Sequence, residues 1–317
     1  MPPPLPGNVI RPAVEDDAPA IVDLLNMVSP PEDRVTLEEF RYGDTLRDPH
    51  DAFNRLVAAA AGPQLAAAAD TGNSQTRPLH MFRLMIAVHP DFRRRGLGSE
   101  LERRQRAFAD AHGGTELTAV IRESDAGART FLEHLGYREA YQRFEMELDV
   151  ETFDWNRFPN LGGRLGDLRL RTFAEIGDSE ANLQKMYDLT MVLNQDVPHP
   201  EGPPRFSYEL FKKYFAMPGF RADGLFILAD GDQWIGMSGL LTPDGRPAYT
   251  YFTGVRREYR GRGLATAMKL ATISFAHDNK IAAMRTHNDT VNYPMVAVNE
   301  KLGYRRLPAR VAMKLAW

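Results

Sequence analysis

The strongest constraint on this chain is that it repeats itself. Residues 88–109 read V-H-P-D-F-R-R-R-G-L-G-S-E-L-E-R-R-Q-R-A-F-A, and residues 255–276 read V-R-R-E-Y-R-G-R-G-L-A-T-A-M-K-L-A-T-I-S-F-A. An offset of 167 positions lays Val88 on Val255, Arg93 on Arg260, Gly96 on Gly263, Leu97 on Leu264 and Phe108 on Phe275. With no gap, the same offset brings Leu135, Gly136, Tyr137 and Arg138 onto Leu302, Gly303, Tyr304 and Arg305. A register held over that distance describes one fold written twice. At 317 residues there is room for two domains of about 150 residues, each with its own core. The boundaries expected are 8–148 for the first half, a linker over 149–166 and 167–317 for the second half.

Each repeated segment predicts a strand, a glycine-bearing loop and a helix. In the first copy the loop is Arg93, Arg94, Arg95, Gly96, Leu97 and Gly98; in the second it is Arg260, Gly261, Arg262, Gly263, Leu264 and Ala265. The first turn of a helix leaves backbone N–H groups without intrahelical partners, and the helix dipole adds positive potential there. Such a terminus suits phosphate, glycine lets the backbone come close, and arginine reaches further oxygens in bidentate fashion. The helices are marked by Leu97, Leu101 and Phe108, and by Leu264, Met268, Ala271 and Phe275, spaced as one buried stripe.

Two other phosphate loops are excluded. No G-x-x-x-x-G-K-[ST] string occurs, and the G-x-G pairs Gly96/Gly98 and Gly261/Gly263 lack the third glycine of a dinucleotide fingerprint. The string that does fit is R-x-x-G-x-[GA], and here the chain resembles the GCN5-related N-acetyltransferase (GNAT) family, whose members hold the pyrophosphate of acetyl-coenzyme A on this loop. The resemblance implies an α/β fold with a mixed sheet, two tandem GNAT-type domains, and acetyl-CoA as co-substrate. It would place Val88 and Val255 with the loop residues at the coenzyme.

In chain order, a strand is expected from Asn8, followed by a helix through Ile21, Leu24, Leu25 and Met27. The alanine-rich stretch around Gly62-Pro63 is read as two strands despite its helical propensity. A strand over 81–88 feeds the first loop, and 116–121, 125–134 and 141–150 follow as strand, helix and strand. The second half opens with a strand over 167–173 and a helix through Leu183, Met186, Tyr187 and Leu193. Ser207 is expected to cap the next helix. Strands follow at 225–229, 234–241 and 249–255, the first two turns between them carrying D-G pairs. A strand over 282–288 and a helix over 292–302 come after the second loop.

The second half is the better enzyme. Its string T-H-N-D-x-x-N-x-x-M-x-x-x-N-E-K-L-G-Y, residues 286–304, resembles the closing motif of tandem members of the family. The resemblance implies that the strands bearing Tyr251 and His287 splay apart and that Asn288, Asn292 and Asn299 line the pantetheine arm. An amide that donates and accepts suits a ligand that is itself two amides long. At the same offset the first half has Ile121, Asp125 and Leu132, so it is expected to be degenerate. Many members carry a tyrosine where Asn299 stands, as the acid for the departing thiolate; without it, Asn299 as donor to sulfur or a solvent proton remains. Base candidates are Tyr251 and His287 or, through water, Asp196 and Glu258. Asp196 and His199 lie where the family builds its acceptor pocket, and Asp196 would attract a cationic amine. A backbone N–H near the end of the 249–255 strand would stabilise the developing oxyanion.

Composition narrows the remaining choices. With no cysteine, an acyl-cysteine intermediate is excluded and direct transfer is favoured. A net charge of -3 without a basic tail argues against nucleic acid, and no apolar run reaches the roughly 18 residues of a membrane span. The eight histidines have no metal-ligand spacing, so no metal is expected. The expected activity is transfer of acetyl to a primary amine of a small molecule or peptide, in a cytoplasmic protein that is a monomer or weak dimer. A non-catalytic acyl-CoA-binding or sensing protein and an acyltransferase for longer acyl groups are the alternatives.

Overall fold

A computed structural model describes residues 9–60, 64–159, 165–198, 202, 205–289 and 291–317. His199, Gly62, Pro63 and the expected linker residues 160–164 lie outside them. The elements run β1 (Ile10–Pro12), α1 (Ala18–Val28), α2 (Leu37–Thr45), β2 (Phe53–Ala59), β3 (Leu65–Gly72), β4 (Met81–Val88), α3 (Leu97–Ala111), β5 (Glu116–Arg122), α4 (Ala126–His134) and β6 (Arg138–Asp149). They continue with β7 (Arg169–Thr172), α5 (Phe173–Ile176), α6 (Glu180–Asn194), α7 (Tyr208–Tyr214), β8 (Phe220–Asp230), β9 (Gln233–Leu241), β10 (Ala248–Val255), α8 (Leu264–Asp278), β11 (Ala283–Asp289), α9 (Tyr293–Lys301) and β12 (Arg305–Ala316).

The chain forms two compact units: residues up to Gln142 with Arg310–Trp317, and Arg143–Ala309. These are not the two halves expected from the sequence. The last strand of each half has crossed over, because its pairing partner lies in the other unit. In the first unit β12 pairs antiparallel with β5, Arg310 opposite Arg122 through Ala316 opposite Glu116. In the second, β6 pairs antiparallel with β11, Ala283 opposite Asp149 through Asp289 opposite Arg143. Val311 and Met313 thereby enter the first core, and Phe144, Met146 and Leu148 enter the second.

Within the first unit the strand order is β1-β2-β3-β4-β5-β12, antiparallel except for the parallel pair β4/β5. The second unit has β7-β8-β9-β10-β11 and then the 143–149 segment of β6, antiparallel except for β10/β11. The parallel pairs are crossed by α3 and α8, the connection such pairs require.

Local chemistry explains where the observed elements depart from expectation. Phe173 opens a helix instead of ending the strand, because Thr172 and Glu175 form a reciprocal capping box. Another such box, Thr36 with Glu39, starts α2, which no apolar periodicity had announced. β12 was likewise not anticipated. The two strands expected around 55–70 are present, with Ala58, Ala66, Ala67 and Ala69 fully buried in one cluster with Leu97 and Leu101, and Ala68 in another with Ile21 and Leu24. No helix among the described residues is long and apolar enough to cross a membrane.

Candidate functional site

The two loops have the same backbone. Gly96 and Gly263 precede their helices with φ of 83° and 75°, and the residues two positions earlier are also left-handed, Arg94 at 61° and Gly261 at 76°. Alternation of hand turns successive N–H groups toward one concavity, a nest for an anion at the helix N-terminus. In the first copy a non-glycine residue bears that conformation.

The first arginine of each loop braces it. Arg93 Nε donates to the Val88 carbonyl at 3.1 Å, and Arg260 Nε to the Val255 carbonyl at 2.8 Å. Arg260 also reaches Asp196 Oδ2 at 2.6 Å, while Arg257 Nε donates to Asp196 Oδ1 at 2.7 Å. Those guanidiniums, Arg257 foremost, hold the Asp196 carboxyl below its ordinary range. Asp196 is thus ion-paired with two arginines of the loop region. Arg95 lies over Phe92 and Arg262 over Tyr259, a further correspondence between the copies. Gly98 packs where a Cβ would meet Phe131 at 3.1 Å, whereas Ala265 fills the same place in the second copy.

Beyond the loop the second unit opens. The parallel ladder of β10 and β11 has two pairs, Ala248 opposite Met284 and Tyr249 opposite Arg285, where β4 and β5 have four. From Thr250 onward a gap lies between the strands, spanned at its start by Thr286 Oγ1 donating to the Thr250 carbonyl at 3.2 Å. Asn288 on β11 and Asn299 on α9 face each other there, Asn299 Nδ2 donating to Asn288 Oδ1 at 3.1 Å. Asn299 is 0% exposed and Asn288 3%. Asn288 Nδ2 and Asn299 Oδ1 are left buried without a hydrogen-bond partner among the described residues. Turning both amides over leaves one donor and one acceptor all the same. Asn292 stands at the N-cap of α9 without capping it, whereas Asp125 in the first copy caps α4 by accepting from the Ala128 N–H at 2.8 Å.

Lys269 Nζ is also buried and without a hydrogen-bond partner among the described residues, and the buried Tyr304 hydroxyl lies against the Thr250 side chain. Lys269, on α8, points its ammonium nitrogen at the Tyr304 ring, 4.9 Å from the centroid. Burial lowers its pKa to about 7 and pushes the Tyr304 phenol up. The equivalent pair in the first unit is Glu102 with Tyr137, whose hydroxyl donates to Glu102 Oε1 at 3.3 Å. Lys269 and Thr250 were not singled out from sequence, because a lysine within an otherwise apolar helix reads as an exposed residue until its burial is seen.

The remaining candidates lie along β10 and β11. β10 has a bulge between Thr250 and Phe252 where it pairs with β9, so Tyr251 is the extra residue. Its ring covers Gly239 so closely that a Cβ there would fall 2.3 Å from the hydroxyl oxygen. Burial pushes the Tyr251 phenol up, which suits a packing group or proton donor better than a base. His287 contacts Tyr249, Nδ1 to hydroxyl 2.6 Å, and Glu145, Nε2 to Oε1 2.9 Å. Glu145 and Glu147 in turn meet Arg285, at 3.6 and 2.6 Å. Sequence reasoning missed Tyr249 and Glu145. The alternation of 143–149 does put Glu145 and Glu147 on one strand face, but the strand they join is 138 and more residues away. Glu258 is exposed, in the turn Arg257–Tyr259. Among the described residues no group of three or more His, Asp and Glu side chains is placed to hold a metal ion.

A nest at a helix N-terminus, repeated, and a polar gap between two splayed parallel strands define an acetyltransferase of the GNAT class. The GNAT-family acetyltransferase model matches residues 20–137 and 184–304, and the chain belongs to that family. It is 26% identical over 306 residues to a mycothiol acetyltransferase of Salinispora arenicola, covering 93% of each chain. With the mycothiol acetyltransferase of Salinispora tropica the identity is 26% over 277 residues, 85% of this chain and 84% of the relative. Among solved structures, a tandem GNAT protein from the clavulanic acid biosynthesis pathway superimposes with a TM-score of 0.76 at 22% identity, covering 98% of both chains. A GCN5-related N-acetyltransferase from Sphaerobacter thermophilus gives 0.72 at 19% identity, covering 98% of this chain and 96% of that one.

Proposed function

We propose that the second unit transfers an acetyl group from acetyl-CoA directly to a primary amine of a small molecule, and that the first unit has lost this activity. The observation that carries the reading is the buried pair Asn288/Asn299, with one donor and one acceptor left over. Buried polar atoms are costly without partners, about 1–3 kcal/mol each, and a secondary amide supplies both complements. A pantetheine arm has two such amides. The residues present fit the coenzyme: the amides of Gly263, Leu264 and Ala265 with the dipole of α8 would take the pyrophosphate, and Asn288, Asn292 and Asn299 the arm. Bound there, it would supply the activated acyl carbon. In the first unit Ile121, Asp125 and Leu132 stand at those three positions, so the nest persists without the polar gap. The mycothiol acetyltransferase relatives favour an amine on a thiol-bearing small molecule as the first acceptor to try.

The test is calorimetric titration of acetyl-CoA into the wild type and into Gly263→Glu and Gly96→Glu variants. Both glycines are left-handed, and the new carboxylate stands where phosphate would lie. Loss of binding with Gly263→Glu alone is expected. Loss with Gly96→Glu alone, or with neither, would overturn the assignment of roles to the two units. Binding of acetyl-CoA with no amine acetylated would favour the non-catalytic reading.

A further inference from the structure

We propose that Tyr249, His287 and Glu145 form the proton relay that deprotonates the acceptor amine, with Tyr249 the residue at the amine. This rests on the acetyltransferase reading above and deepens it. The direction of the relay follows from donor and acceptor chemistry. A carboxylate only accepts, so His287 Nε2 carries the hydrogen toward Glu145, at 2.9 Å. In the neutral ring Nδ1 is then an acceptor, and the Tyr249 hydroxyl donates to it at 2.6 Å. Glu145 in turn faces Arg285, 3.6 Å away, which also meets Glu147. The ring thus faces Tyr249 of β10 and Glu145 of β6, with Arg285 of β11 and Glu147 of β6 beyond them.

The second copy of the fold argues that this array is not needed for folding. At the 167-residue offset Tyr249 corresponds to Phe82, His287 to Val120 and Glu145 to Ala312. The cross-strand pair His287/Glu145 is matched by Val120/Ala312 in the same register. One unit builds its sheet with the relay and the other with three apolar residues. Glu145 is written in the first half of the sequence but sits in the second unit, so strand exchange completes the array.

The Tyr249 oxygen accepts a proton from the acceptor ammonium while its own proton passes to His287 Nδ1. The imidazolium is paired with Glu145 and, with its side chain 33% exposed, hands that proton to solvent. The amine nitrogen then bonds to the thioester carbonyl carbon, the carbon–sulfur bond breaks with its electron pair on sulfur, and the second nitrogen proton ends on that sulfur. Tyr249 is the catalytic residue of the three; His287 and Glu145 act through it.

The experiment measures acetyl transfer from acetyl-CoA to D-glucosamine, L-cysteine, spermidine and histamine, then follows the best acceptor from pH 6 to 10 in the wild type, Tyr249→Phe, His287→Gln and Glu145→Gln. Tyr249→Phe and His287→Gln are expected to lower kcat about 100-fold at pH 7, the ordinary reach of general base catalysis. KM for acetyl-CoA should stay within about twofold, and the loss should shrink above about pH 9 as the amine deprotonates by itself. Glu145→Gln should give a smaller loss on the same pH profile. Variants with wild-type kcat and an unaltered pH profile would overturn the relay, as would a loss that is the same at every pH. If the wild type binds acetyl-CoA but acetylates none of the amines, the enzymatic reading fails and takes the relay with it; if it does not bind, the coenzyme reading has failed first.

Discussion

Lys269 makes the sharpest prediction, because a 1% exposed amine without a hydrogen-bond partner among the described residues is costly to bury in either protonation state. Burial takes its pKa from the ordinary 10.5 to about 7. At about 1.36 kcal/mol per unit of pKa, that difference corresponds to ~5 kcal/mol. The sign follows from proton counting. Between pH 7 and 10.5 the unfolded chain holds a proton at Lys269 that the folded chain lacks, so this residue makes stability rise with pH across that window. Below pH 7 both states are protonated and the full cost remains. Lys269→Met keeps the stem's volume and removes the amine. The variant is expected to be more stable at pH 7 by about 2–4 kcal/mol, after allowance for the lost contact with the Tyr304 ring. Its advantage should shrink by about 2 kcal/mol between pH 7.5 and 9. Urea unfolding at pH 6.5, 7.5 and 9, wild type against variant, reads both numbers. A less stable variant, with a difference from wild type that does not change with pH, would mean that Lys269 is charged and satisfied, and would refute the reasoning.

Two further outcomes follow from the exchanged strand and the polar gap. A chain ending at Ala309 should leave the first unit unfolded while the second persists, since Val311 and Met313, both 0% exposed, leave its core at about 1.5–3 kcal/mol each and β5 loses its partner; hydrogen exchange resolved along the chain checks this, and full protection of β5 in the truncated chain would contradict it. Asn299→Leu places in the second unit the residue type found at Leu132 in the first, and is expected to weaken acetyl-CoA binding at least tenfold by calorimetry while leaving the thermal midpoint unchanged or higher; an unchanged affinity would exclude Asn299 from the arm.

How much of this was legible beforehand differs from element to element. The loop, its helix and the strand before it were readable because their signals are local: an apolar stripe, a glycine that must take positive φ, and a register that recurs 167 residues later. Asn288 and Asn299 were readable as arm candidates by resemblance alone; that their amides meet each other is known only from the structure. The pairing of Asp196 with Arg257 and Arg260 was not legible, because no local pattern announces ion pairs that form across more than sixty residues of chain.

The sequence by itself determined that one α/β fold occurs twice, that each copy carries a strand, a glycine-bearing loop and a helix, and that Asn288, Asn292 and Asn299 have no counterparts in the first copy. Those properties rest on periodicity, glycine placement and side-chain chemistry, all local. Only the tertiary structure decided which strand completes each sheet, that Lys269 is buried against Tyr304, and that Glu145 stands behind His287 and Tyr249. Each of those depends on backbone pairing between segments far apart in the chain, where β alternation specifies a face but leaves the partner open.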